Sequence, residues 1–210
     1  MAKTMARQTQ AITAIVGLLA VALFVVLFVV FLALNPGFDA LEDFISKLGS
    51  KGQPYALYWN LSGFVAVGLL LAIFGWLYGR CRNDRLLGAC LVIAACGFAL
   101  AGIPTDFSDP ESPLSAAHFV SVCLSLAGFC FGLARLTGSK STDFDRAAAY
   151  GVIGLTVVAI ACVSGGVLAE PVAHRIVLAA IFTWVALNAI RLLRFQINPE
   201  FATAGSDEAR

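Results

Sequence analysis

The chain has 210 residues, of which 60% are hydrophobic and 13% charged, and its mean hydropathy is +0.87. Soluble domains carry about 25% charged residues, so this composition excludes a soluble globular protein and predicts one embedded in a membrane. A formal net charge of +1 with no basic stripe leaves no electrostatic footprint for nucleic acid.

The charges divide the chain into blocks. No Asp, Glu, Lys or Arg occurs in 8–38, 52–79, 86–105, 112–134, 147–169 or 176–190. Each block holds close to the about 20 residues that cross a bilayer as a helix. In hydrocarbon every backbone polar group needs a partner within its own segment, so the blocks read as helices. The expected fold is an all-α integral membrane protein, a single six-span domain over 1–210. Spans are placed near 11–34, 55–79, 86–104, 114–135, 147–168 and 173–194, with a polar cytoplasmic tail at 195–210. The first block exceeds the 7–15 apolar residues of a signal peptide's core, so it is read as a span.

Lys and Arg are unevenly shared between the two sides. Lys3, Arg7, Arg80, Arg82, Arg85, Arg135, Lys140, Arg146, Arg191, Arg194 and Arg210 fall on one side; Lys47, Lys51 and Arg175 fall on the other. The positive-inside rule predicts a multi-pass protein of the cell membrane with both termini cytoplasmic. The six cysteines lie in spans or at the arginine-rich edge, with neither C-x-x-C nor a zinc spacing, and read as small apolar filler. Gly75-x-x-x-Gly79 and Gly128-x-x-x-Gly132 predict close helix approach, a theme extended by Gly63, Gly68, Gly97, Gly102, Gly151 and Gly154. Tyr58, Trp59, Trp76 and Tyr78 suit interfacial belts.

After the first span comes "DFISKLGSKGQP", residues 43–54. Asp43 and Ser46 share a face at helical spacing, with Ile45 and Leu48 as an apolar stripe beside them. Gly49 suits a helix stop, and Gly52 with Pro54 a turn. This predicts a short amphipathic outer helix roofing the mouth of the bundle. After the third span, "AGIPTDFSDPESPLSAAH" places Asp106 just past Pro104 and His118 in the second turn of the fourth span. A titratable ring at that depth faces the bundle or a wet cavity. The two readings of His118 are a hydrogen-bonded pair with Asp106 and a tie to a loop carbonyl. "AEPVAHRIVLAAIFTW" opens the sixth span with Glu170, His174 and Arg175. A guanidinium there needs a carboxylate or a lipid phosphate. Asp106 is the first expected partner and Asp43 the second, with His118 close to the same carboxylate.

"NPGFDALEDFISKLGSKGQPYALYWNLSGFVAVGLLL", "GIPTDFSDP" followed by His118, and "HRIVLAAIFTWVALNAIRLL" together resemble the six-span prokaryotic membrane protein family catalogued as domain of unknown function 998. The similarity covers roughly residues 30–194. It highlights Ser46, Leu48, Gly49, Asn60, Asp106, His118 and Arg175. One departure is His174, where the family usually has Gln or Glu. The family name implies no activity.

Two functions follow. One is a protein that binds or remodels lipid headgroups at the outer face, with Arg175, Asp43, Asn60 and His174 as ligand-binding residues. As an enzyme it would be a lipid-directed hydrolase or transferase, with His118 as base, Ser46 as nucleophile and Asp106 beside them. Neither G-x-S-x-G nor H-E-x-x-H is present. No cofactor is called for; the two histidines with Asp106 are the one candidate zinc set, at a spacing that is not diagnostic. The alternative is a non-catalytic accessory or structural subunit. Expected partners are membrane lipids, with a membrane-protein partner or a homo-oligomer under the second reading.

Overall fold

In the computed structural model, which describes residues 2–138 and 141–197, every regular element is helical. Six long helices follow one another: α1 (Ala2–Leu34), α2 (Ala56–Cys81), α3 (Arg85–Leu100), α4 (Pro113–Arg135), α5 (Asp143–Ser164) and α6 (Glu170–Ile197). Five are long and apolar enough to cross a membrane, and α3 is a shorter apolar helix of 16 residues. The chain is a multi-pass helical membrane bundle. Lys140 and the tail beyond Ile197 lie outside the described residues.

Helix ends depart from the charge-block boundaries because caps, rather than charges, start and stop helices. α1 begins at Ala2, since neither Lys3 nor Arg7 interrupts a helix. α3 stops at Leu100 because Ala101 and Gly102 close a turn onto Gly97 and Ala99, ahead of Pro104. α5 starts at Asp143 because Thr142 and Asp145 form a reciprocal capping box. Ser112 caps α4 with Pro113 in the first turn.

Sequence neighbours are spatial neighbours. α1 packs on α2, α2 on α3 and α3 on α4, while α6 returns to α1; α5 leans on α6 and only lightly on α4. Glycines set the closest approaches. A Cβ on Gly79 would lie 2.5 Å from the Gly88 Cα, and one on Gly97 would lie 2.5 Å from the Ser125 amide nitrogen. Gly128 likewise faces the Ala94 backbone. Gly151 and Gly154 meet nothing, so the small-residue theme does not extend to α5, whose outer side is exposed.

Two apolar clusters fill the interior. Near the arginine-rich end, Phe74, Tyr78, Leu87, Phe129 and Trp184 pack together. Near the loop-rich end, Phe24, Phe31, Trp59, Phe64, Phe98 and Phe182 form an aromatic knot, with Phe24 stacked on Phe182 at 4.4 Å between centroids. Trp59 and Tyr78 are therefore core residues rather than belt residues: Trp59 is 0% exposed, and Tyr78 donates to Asn188 Oδ1 at 2.8 Å. Burying the large rings inside the bundle gives them dispersion partners that the lipid face cannot match in shape. Trp76 alone of the tryptophans is exposed, at 53%.

Candidate functional site at the loop-rich end

The connector after α1 forms a short 3-10 turn, Ile45–Gly49, packed on the bundle. Ile45 and Leu48 are buried in the aromatic cluster, so the apolar stripe works as the spacing suggests. The turn is 3-10 because Lys47 and Ser50 donate to carbonyls three residues back.

Asn60 locks this turn. Its Nδ2 donates to the Gly49 carbonyl at 2.8 Å, and both residues are buried. A Cβ on Gly49 would sit 1.8 Å from Asn60 Oδ1, so the amide occupies the space a side chain would need. Asn60 also opens a π-helical stretch, Asn60–Ala66, within α2. Such stretches are frequent at functional sites. Gly52, at φ 89°, then turns the chain into α2.

Two connections and the first turns of α6 converge here. The Lys51 amide donates to the Thr105 carbonyl at 2.8 Å, and its Nζ pairs with Asp106 at 2.9 Å. On the other side, Arg175 Nη2 donates to the Asp43 carbonyl, and the Phe44 and His174 rings meet edge to face at 5.9 Å. The Arg175 guanidinium also lies 5.8 Å from the Phe38 ring centroid.

The partners differ from those expected. Arg175 is held by a backbone carbonyl, not by a carboxylate, because both candidate acids are already engaged. Asp43 pairs with Lys47 at 2.5 Å and accepts from the Asp39 amide. Burial pushes its carboxyl up, but the Lys47 and Asp39 bonds outweigh this and hold it below its usual value. Asp106 accepts from Ser108 and Lys51, which lower its carboxyl to about 2. His118 is not beside Asp106. Its Nδ1 lies 3.2 Å from the Ile103 carbonyl, the loop tie named as its second reading. Ser46 is half-buried on the 3-10 turn, and its hydroxyl bonds neither His118 nor Asp106. Asp106, His118 and His174 do not assemble into a three-ligand metal group; no group of three or more metal-binding side chains forms among the described residues.

Arg175 stands out by what it lacks. Its Nε and Nη1, and His174 Nδ1, are screened from solvent and have no hydrogen-bond partner. Most buried polar side-chain atoms have one.

The opposite end holds a cluster built from arginines that the sequence analysis counts only by side. Asp145 is 1% exposed and receives Arg82 at 2.7 Å, Arg191 at 2.8 Å and the Thr142 hydroxyl at 2.8 Å. Arg191 also stacks on Phe144, 3.9 Å from the ring centroid. One signal was visible: Thr142-x-x-Asp145 ahead of an apolar run is a capping-box spacing. Lys51 was likewise missed as the bridge between two connections.

The architecture thus defines a polytopic helical membrane protein whose loop-rich end carries a convergent polar cap. The family model described as protein of unknown function (DUF998) matches residues 18–191, and the chain belongs to that family. No curated protein and no solved structure matches it.

Proposed function

We propose that the protein binds the anionic headgroup of a membrane lipid at its loop-rich end, with Arg175 as the phosphate ligand and His174 beside it. The observation that carries this reading is the pair of unpartnered, solvent-screened donors on Arg175. A guanidinium donates in a planar fork that matches two phosphate oxygens. Nη2 is held by the Asp43 carbonyl through one N–H, which aims the group; its second N–H forms the fork with whichever of the unpartnered Nε and Nη1 shares that edge. Asp43 and Asn60 act by shaping the 3-10 turn against which the headgroup rests. Binding is favoured over hydrolysis because Ser46, His118 and Asp106 do not form a nucleophile–base–acid chain. The arginine bias supports an orientation with the loop-rich end outside the cell and both termini in the cytoplasm.

Native mass spectrometry of the protein released from nanodiscs of phosphatidylcholine and phosphatidylglycerol tests the reading. Wild type should retain the anionic lipid, and Arg175→Ala should bind it roughly tenfold more weakly, as loss of charged hydrogen bonds implies. Arg175→Lys should recover only part, lacking the fork. Equal retention by wild type and Arg175→Ala rejects the reading. In a cysteine-free background, Asp109→Cys should label from outside intact cells and Asn83→Cys should not; the reverse pattern inverts the orientation.

A second reading, a non-catalytic accessory or structural subunit, is favoured by one observation. Asp43, Asp106 and His118 are all satisfied within the chain. Under it, Arg175→Ala lowers stability without changing bound lipid.

A further inference from the structure

A second site lies at the arginine-rich end, on the lipid-facing side of the α2–α3 pair. Among the described residues, the ion pairs at this end use Arg82, Arg135, Arg146 and Arg191 and leave Arg80 and Arg85 without a carboxylate. Asp84, the acid between them, is occupied: it accepts from the Leu87 amide at 3.0 Å and from Arg135 at 3.2 Å. Those bonds hold its carboxyl below the usual range, the Leu87 amide first and Arg135 behind it, with burial opposing. Two guanidinium charges therefore stand unopposed beside the turn.

The surface beneath them is a groove of about 770 Å³. Helical spacing puts Trp76, Gly79 and Arg80 on one stripe of α2, and Arg85, Gly88 and Ala89 on the facing stripe of α3. Contact of Gly79 with Gly88 makes the floor low, and Trp76 stands as a wall. Arg80 lies over that wall, its guanidinium carbon 5.0 Å from the ring centroid. The turn is held in register by the Asp84 amide, which bonds the Gly79 carbonyl at 2.9 Å, with Asn83 at φ 51° closing the helix end.

We infer that this groove binds one anionic phospholipid. Its phosphate is shared by Arg80 and Arg85, and an acyl chain lies over Gly79, Gly88 and Ala89 against Trp76. Charge complementarity selects the headgroup, since basic pockets between membrane helices take anionic lipids. The apolar, membrane-facing slot beneath the charges selects a lipid over a free anion. The site is independent of the Arg175 reading, because it uses the other end of the bundle.

Tryptophan fluorescence of the full chain in vesicles reads this site. Trp59 and Trp184 are 0% and 2% exposed, so quenching by brominated acyl chains reports on Trp76. Brominated phosphatidylglycerol should quench at an about fivefold lower mole fraction than brominated phosphatidylcholine, the effect of one to two interfacial arginines. The preference should vanish in Arg80→Gln/Arg85→Gln, whose targets are exposed and unpaired. It should also vanish in Ala89→Phe, which fills the slot and keeps both charges. Equal quenching by the two lipids in wild type overturns the site. A preference that survives either variant also overturns it, because the attraction would then belong to the basic end as a whole. Inorganic phosphate at millimolar concentration should not compete; full competition would make the ligand a free anion and refute the lipid assignment. Arg175→Ala should leave the preference unchanged.

Discussion

The two ends of the bundle solve the same problem with different physics. At the arginine-rich end the connections 82–84 and 136–142 are short, and one nearly inaccessible carboxylate, Asp145, ties α5 to α6 and to the end of α2 through two arginines. At the loop-rich end two connections, 35–55 and 101–112, are longer, and the decisive contacts are neutral. The Asn60 amide meets the Gly49 carbonyl, and Ile45 and Leu48 enter an aromatic core. The ion pair that joins two connections there, Lys51 with Asp106, reaches water through the lysine, whose side chain is 73% exposed. Residue variety is greatest at the loop-rich end, yet the most buried charge sits at the other. A buried ion needs partners whatever its role, whereas an exposed pair adds little.

The largest test of this contrast is Asp145→Asn. It leaves Arg82 and Arg191 facing each other with no acid between them, and breaking a buried pair typically costs about 3–5 kcal/mol. Unfolding in denaturing detergent should show a loss of that order. A change below about 1 kcal/mol would place the strength of this end in packing instead.

Next comes Gly49→Ala. The new Cβ collides with the Asn60 amide, and overpacking of this kind costs about 1–3 kcal/mol. Asn60→Ala alone leaves the Gly49 carbonyl unsatisfied, at about 1–3 kcal/mol. The double variant should cost clearly less than the two singles added, because the two changes relieve one shared clash. Strict additivity in the same unfolding assay would show that the turn and the amide do not form one lock.

The smallest effect belongs to Asp106. Its carboxyl falls from an ordinary 3.8 to about 2, through Ser108 first and Lys51 second. A lowered folded-state value means its contribution is fully present above about pH 4 and fades as the pH drops from there towards 2. Lys51→Met should remove the part of this acid sensitivity that Lys51 provides, and high salt should mimic it. An acid-unfolding midpoint unmoved by either would mean that Ser108 alone sets the carboxyl.

Much of the architecture was legible without coordinates. Backbone groups in hydrocarbon must be satisfied locally, so each charge-free block had to be a helix, and short connections had to join neighbours. The 43–49 turn was legible for a related reason: Ile45 and Leu48 are three residues apart, and one helical turn buries both. The family resemblance was carried by motifs that survive as local geometry, Gly49 and Asn60 foremost. What sequence spacing did not carry was the choice among partners. Asp106, Asp43, Lys47, Lys51 and Arg175 lie on two connections and the start of α6, and any pairing of opposite charges is compatible with their order. Only the packed bundle decides it. α2 brings Lys51 beside Asp106, α6 brings Arg175 under the Asp43 carbonyl, and His118 is turned to Ile103 by the start of α4. The same holds at the other end, where Asp145 reads as a helix cap until α2 and α6 deliver their arginines to it. Elements follow from local bonding and transfer into lipid, which short stretches of sequence determine; pairings follow from distances between elements, which exist only once the helices are packed.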